Sequence, residues 1–300
     1  MFATLLGRLP RPPLPDDAAA ERVLDAVLAL QIEHGLEPLA TAGWDLSAGD
    51  TTGDPVASWR AAAGRQPGRL VKAMVTGPIT SDTSADALHA TLLALAEAGC
   101  TWIEVHEPAA TTIDDDAGRT RFAEAHRGLT AGLDGIHLSL ALVGGSAESL
   151  GIDALDAGAY ASLAVDLIDG PDNWRLVSAW PGDRGVIAGA LPTRAGSDDG
   201  PEMVLWAAAY AASTGGRGAD RVGLATAGSL AHLSWDVAAR KVARLGEAAR
   251  LATASPDEIR TTVDPRALDI RSAAMGSPSR RPSARPSARP SRPRRTTIDP

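Results

Sequence analysis

Short apolar runs alternate along this chain with longer stretches whose apolar residues recur at helical spacing. Eight runs are rich in aliphatic or β-branched residues: 4–6, 38–41, 71–76, 102–105, 136–141, 162–168, 186–191 and 221–225. Their length and composition predict strands. Between them, residues 18–34 place Val23, Val27, Leu28 and Leu30 on one helical face and stop at Gly35. Residues 83–98 repeat the design with Leu88, Leu92 and Leu95 ahead of Gly99. Residues 122–133, 202–213 and 237–251 are the other clear helices. Regular strand–helix alternation requires a parallel sheet with helices packed outside it. Eight repeats predict closure as an α/β (β/α)8 TIM barrel over residues 1–254. An open doubly wound sheet is the competing arrangement, but no Gly-x-Gly-x-x-Gly turn follows the first run.

The pattern changes at the end of the chain. Residues 277–295 are an Arg/Pro/Ser repeat, with Pro282-Ser283-Ala284-Arg285 followed by Pro286-Ser287-Ala288-Arg289. Such a segment cannot bury enough apolar surface to offset chain entropy, so residues 255–300 are expected to be a disordered tail. Charge divides at the same place. Residues 1–254 carry 19 basic and 32 acidic side chains, and residues 255–300 carry 10 and 5. An acidic barrel argues against nucleic acid as its partner, because phosphate neutralisation needs a basic face. Cys100 is the single cysteine, which excludes an intramolecular disulfide and a thiolate metal cluster. No apolar stretch approaches a membrane span and the apolar start is too short for a signal peptide, so a soluble cytoplasmic protein is expected.

Candidate chemistry lies where strands end, because a barrel of this kind carries its reactive groups at the C-terminal ends of its strands. The segment Gly99-Cys100-Thr101-Trp102-Ile103-Glu104-Val105-His106-Glu107-Pro108-Ala109 closes the fourth run. It resembles the Gly-Cys…Ile-Gln-Ile-Asp-Glu-Pro-Ala segment of the cobalamin-independent methionine synthase family. Further matches follow in order over most of residues 1–252. Leu6-Gly7-Arg8-Leu9-Pro10 is similar to the family's Ile-Gly-Ser-Phe-Pro opening, Thr41-Ala42-Gly43-Trp44 to its Thr-Asp-Gly-Glu turn, and Gly77-Pro78-Ile79-Thr80 to its Gly-Pro-x-Thr loop. His137-Leu138-Ser139, Asp166 and Ala227-Gly228-Ser229-Leu230 fall where the family carries His-x-Cys, a zinc-bound Glu and Cys-Gly-Leu. The resemblance implies a barrel of the methionine-synthase/uroporphyrinogen-decarboxylase-like type.

It also implies altered chemistry. In the family, zinc ionises the homocysteine thiol, which then attacks a folate methyl group. Here Ser139 and Ala227 stand at the two Cys positions, leaving His137 and Asp166 as residual metal candidates. Those are too few for a tight site, so no cofactor is expected and zinc least of all. Replacing Ser139 and Ala227 together by cysteine is expected to rebuild zinc affinity. Arg8, Trp44 and His106 stand where the family's amino-acid pocket has Ser, Glu and Asp. Arginine suits a carboxylate or phosphate, which moves the expected small-molecule ligand at the barrel top toward an anion.

Each candidate has a plainer role beside the chemical one. His106 and Glu107 form the expected catalytic acid/base pair; the plainer role is a structural hydrogen bond. Arg8, Trp44, Ser139 and Asp166 are the expected substrate-binding set; Arg8 could instead pair with an acidic loop, and Trp44 could fill space. His137 and Ser139 share a strand face, where a lone inward histidine is more often a satisfied core residue. Asp114-Asp115-Asp116 reads as a helix N-terminus. The leading reading is a diverged, zinc-free member of the family that transfers a methyl or similar group to or from a small anionic substrate. A non-catalytic binding or regulatory barrel is the alternative from another class. A third reading is a rebuilt metal site made of His106, His137 and a carboxylate from Glu107 or Asp166. The oligomeric state is left open by the sequence.

Overall fold

The computed structural model describes residues 1–41, 54–81, 83–197 and 200–262. Eight strands run in sequence: β1 Phe2–Thr4, β2 Leu39–Ala40, β3 Val71–Thr76, β4 Trp102–His106, β5 His137–Leu142, β6 Ser162–Asp166, β7 Gly185–Leu191 and β8 Val222–Thr226. All pairings are parallel, and the order β1-β8-β7-β6-β5-β4-β3-β2 is that of neighbours around a ring. β1 and β2 meet through Glu37 N–H donating to Ala3 O at 2.8 Å and Thr4 Oγ1 donating to Pro38 O at 2.7 Å. The result is a nearly closed (β/α)8 barrel, as expected.

The helices are α1 Ala20–Glu33, α2 Pro55–Arg65, α3 Pro78–Ser81, α4 Ala85–Glu97, α5 Asp116–Leu129, α6 Gly151–Leu155, α7 Asn173–Ala179, α8 Glu202–Ser213, α9 Trp235–Ala252 and α10 Pro256–Thr262. Residues 263–300, which include the Arg/Pro/Ser repeat, lie outside the described residues, as does Trp44. α10 lies just past residue 254, where the barrel is expected to end. No helix among the described residues is long and apolar enough to cross a membrane.

Period-two alternation sorts the strand residues into two cores. Outward residues such as Ile103, Val105, Leu138, Leu140, Leu163, Val165, Val186 and Leu224 pack under the helices in one large cluster. Inward residues Trp102, Ala141, Ala164, Ile187 and Ala225, with Leu6, form a second cluster inside the barrel. Three of these inward residues are alanine, so they fill less space there than the leucines outside.

Local chemistry explains where elements begin and end. β1 stops at Thr4 although Leu5 and Leu6 are apolar, because their backbone groups turn to side chains. Lys72 Nζ donates to Leu5 O at 2.7 Å, and Leu6 N–H donates to Thr226 Oγ1 at 3.3 Å. α5 starts six residues before the apolar run at 122–133, at the helix N-terminus expected of Asp114-Asp115-Asp116, because Asp115 Oδ1 accepts from Gly118 N–H at 2.7 Å and caps it. α2 begins on an Asp54 cap with Pro55 in its first turn, but buries only Trp59 and Ala62. Its apolar face is too thin for periodicity to reveal.

Candidate functional site

The C-terminal mouth of the barrel holds a cavity of about 320 Å³ lined by Gly7, Arg8, Met74, Val75, Thr76, Thr80, His106, Pro108, Val143 and Ser229. The loops after β1, β3, β4, β5 and β8 therefore converge on one space. Two glycines shape it. Gly7 has φ +96°, and a Cβ there would lie 2.7 Å from Ser229 Cα, so only glycine lets the first and last loops touch. That contact is fixed by Arg8 N–H donating to Ser229 Oγ at 3.2 Å and Leu230 N–H donating to Arg8 O at 2.8 Å. Gly77, whose N–H donates to His106 O at 2.8 Å, leaves room for the Glu107 carboxyl group.

Arg8 and His106, both expected at the site, do face this cavity. The Arg8 guanidinium makes no ion pair among the described residues. His106 and Glu107 do not form a pair. They are consecutive strand-end residues, so their side chains leave opposite faces of the sheet. Glu107 is fully buried and accepts from Ile79 N–H and Thr80 N–H at 2.9 Å each, and from Thr80 Oγ1 at 2.7 Å. It holds α3 against β4. Behind it, His126 Nε2 lies 3.2 Å from Glu107 Oε1, within ion-pair reach but outside hydrogen-bond geometry, and His126 Nδ1 meets Tyr160 Oη at 2.5 Å. Burial, and then the Glu107 charge, push the Tyr160 phenol well up, so it stays protonated beside His126.

His106 is partnered instead by Glu104, two residues earlier on the same inward face. Its Nε2 lies 2.7 Å from Glu104 Oε1. The other carboxylate oxygen accepts from Lys72 Nζ at 2.7 Å, and both Lys72 and Glu104 are fully buried. Burial alone would push the Glu104 carboxyl up; Lys72 and then His106 outweigh it and hold it down to about 2. Burial pushes Lys72 below its ordinary value, with the Glu104 charge opposing. Sequence reasoning missed this ion pair. Its signal was a glutamate alternating with Trp102 and His106 on an otherwise apolar strand, and one of only two lysines placed mid-strand.

The expected metal candidates do not meet. His137 opens β5, opposite Trp102 at the N-terminal end of the barrel, whereas Asp166 closes β6 beyond the Leu142–Val165 pair. Five strand positions separate His137 from that level, roughly 16 Å at ~3.3 Å per residue, against ligand bonds of about 2 Å. Asp166 accepts from Ile168 and Asp169 N–H at 2.9 Å and from Gly144 N–H at 3.3 Å, so it anchors loops. Burial raises its carboxyl, with those N–H groups opposing. Ser139 is buried in the barrel interior and shares a 2.8 Å hydrogen bond with Ser162. At that separation His137 and Asp166 cannot ligate one ion. Among the described residues, no three His, Cys, Asp or Glu side chains gather for a metal. The rebuilt site with His106 and His137 fails for the same reason, since the two histidines occupy opposite ends.

His137 lines a separate hollow at the N-terminal end with Phe2, Trp102, Ser162, Asp183, Asp220 and Arg221. Its ring packs on Trp102 at 3.7 Å, and its Nε2 lies 2.9 Å from Ser162 Oγ. Burial pushes its imidazole down to about 4, with Glu104 opposing and Lys72 assisting. A histidine depressed in the folded state binds fewer protons than in the unfolded chain. Its stabilising contribution is thus full above about pH 6.5 and lost as pH falls toward 4, on the order of 2–3 kcal/mol. Urea denaturation at pH 7.5 and pH 5 should show wild type losing stability between them and His137→Gln losing clearly less. Equal losses would mean that His137 does not drive this slope.

No protein-family model matches this chain, and no curated protein matches it. Solved structures do. The B12-independent methionine synthase from Shewanella sp. W3-18-1, in complex with selenomethionine, superposes with a TM-score of 0.66 at 15% identity, covering 83% of this chain and 96% of that one. A vitamin-B12-independent methionine synthase candidate from Listeria monocytogenes gives 0.63 at 10% identity, covering 85% and 98%. A methyltransferase from Methanosarcina mazei gives 0.56 at 13% identity, covering 82% and 94%. At these identities the likeness shows the fold: this chain has a TIM barrel similar to those of methionine synthases and methyltransferases.

Proposed function

We propose that this protein is a group-transfer enzyme of the methyltransferase type that acts on a small anionic substrate without a resident zinc ion. The observation that carries the reading is a guanidinium with no ion pair among the described residues and a histidine, Arg8 and His106, lining one cavity at the C-terminal mouth. That end is where barrels of this class place their chemistry. Arg8 binds the anionic group through charge-assisted hydrogen bonds. His106 takes the proton of the substrate's nucleophilic thiol or hydroxyl as that atom bonds to the transferred carbon. The bond from that carbon to its donor breaks, and its electron pair leaves with the donor. A side-chain base is the fitting device here, because no group of three His, Cys, Asp or Glu side chains that could hold the zinc of the resembling family gathers among the described residues. Met74, Pro108 and Val143 supply apolar wall around the reacting atoms. A non-catalytic binding barrel would use the same cavity without the proton transfer.

Native mass spectrometry of the full chain, purified without added metal, tests this in one spectrum. It should show a small anionic ligand on part of the population and far less than one zinc per chain. Ser139→Cys with Ala227→Cys should gain no tight zinc, contrary to the expectation from sequence, because those positions do not surround one point. Stoichiometric zinc that resists mild chelation would overturn the zinc-free reading.

A further inference from the structure

His106 does not stand alone at the floor of the cavity. Below it, inside the barrel, runs a chain of short contacts. Lys72 Nζ donates to Leu5 O and to Glu104 Oε2, both at 2.7 Å, and Glu104 Oε1 lies 2.7 Å from His106 Nε2. Glu104 and Lys72 are fully buried, while the His106 side chain is 12% exposed. The three lie on adjacent strands, with β3 and β4 registered so that Thr76 faces His106 and Met74 faces Glu104. His106 Nδ1 has no hydrogen-bond partner among the described residues. An ionised carboxylate can only accept. Whenever Glu104 is ionised, the nitrogen facing it must carry the proton.

We propose that Glu104, kept ionised by Lys72, is a positioning residue that fixes His106 in the Nε2–H tautomer and leaves Nδ1 as the proton-accepting atom. The inference rests on the reading of His106 as the base. It says which atom accepts and what makes it do so. A histidine ring can place its single neutral-state proton on either nitrogen, and the hydrogen bond made by one decides the state of the other. Without Lys72 the buried carboxyl would tend to protonate, since burial disfavours its charge. A protonated carboxyl can donate as well as accept, and the tautomer would no longer be set. The resembling family's segment carries Gln and Asp where this chain has Glu104 and His106. Glutamine presents both an acceptor and a donor, so it could not dictate a tautomer. The two departures from that segment make one functional unit here.

The test is long-range 1H–15N NMR of the full chain labelled at histidine, with the His106 signals assigned by their loss in His106→Gln. It reads the neutral ring across a pH series. Wild type should show His106 with the proton on Nε2 in at least nine-tenths of the neutral population. Glu104→Gln should shift tens of per cent of that population to Nδ1–H. If Glu104→Gln does not fold because Lys72 is left unpaired, Lys72→Met with Glu104→Gln removes that charge and should show the same shift. Predominant Nδ1–H in wild type overturns the proposal, and so does an unchanged tautomer in a folded Glu104 variant. The spectrum needs no substrate. A clean Nε2–H result with no ligand ever found in the cavity would count against the enzymatic reading alone, while a bound anion beside a Nδ1–H ring would count against the positioning role alone.

Discussion

Lys72→Met should lower stability by about 3–5 kcal/mol, the usual cost of removing one partner from a buried ion pair. For a chain of this size that corresponds to a fall in Tm of roughly 10 °C. Methionine fills much the same volume as the lysine stem, so packing is nearly conserved. What is lost is the ammonium that lies 2.7 Å from the fully buried Glu104 carboxylate. The pH dependence carries the same signature. Glu104 is held down to about 2 in the folded state, so its contribution is present above its unfolded value near 4.5 and fades as pH falls from there toward 2. The gap between wild type and Lys72→Met should therefore be widest at neutral pH and narrow at pH 3. Lys72→Met with Glu104→Gln should recover much of the loss, because a neutral buried pair carries no unpaired charge. Thermal denaturation of the three proteins at both pH values checks this. A wild-type Tm in Lys72→Met at pH 7 would mean that the ion pair contributes nothing.

Glu107→Leu should be of similar size, about 3–5 kcal/mol, for a different reason. The carboxylate satisfies Ile79 N–H, Thr80 N–H and Thr80 Oγ1 and lies against buried His126. Leucine satisfies none of them, and each orphaned buried donor costs about 1–3 kcal/mol. Glu107→Gln keeps an acceptor and should cost about half as much. Gly77→Ala should act through the same contact, since its Cβ would fall on the Glu107 carboxyl. Urea titration of these variants measures the series. Wild-type stability in Glu107→Leu would contradict an anchoring role for this carboxylate between α3 and β4.

The barrel was legible because its signal is repeated. Eight apolar runs at regular spacing, with glycines such as Gly35 and Gly99 closing the helices, leave few other architectures. Short or thin-faced helices were not legible: α6 and α7 span five and seven residues, too few for helical periodicity to develop. The site was legible in part. Arg8 lies in the loop after β1 and His106 ends β4, and both reached the cavity. Glu107 stands at the same end, but a one-residue offset turns it through the sheet. Period two already forbids consecutive residues from sharing a face, and it also places Glu104 beside His106. His137 was only a residual metal candidate, named on the resemblance; its strand begins with it, at the end of the barrel away from Asp166. No local pattern reports that a lysine on β3 will reach a glutamate on β4; that contact exists only once the strands are in register.

An anion site at the mouth of the barrel, with Arg8 binding the anion and His106 standing beside it as the base, is the central claim. Its most direct test is calorimetric titration of the full chain with a panel of small carboxylates and phosphate esters bearing a thiol or hydroxyl. Wild type, Arg8→Met and His106→Gln are compared. At least one anion should bind wild type and lose roughly 10–100-fold in affinity in Arg8→Met, the worth of a charge-assisted contact. His106→Gln should retain most of that affinity, because its role lies in proton transfer. Equal affinity in wild type and Arg8→Met for every anion that binds would contradict the claim.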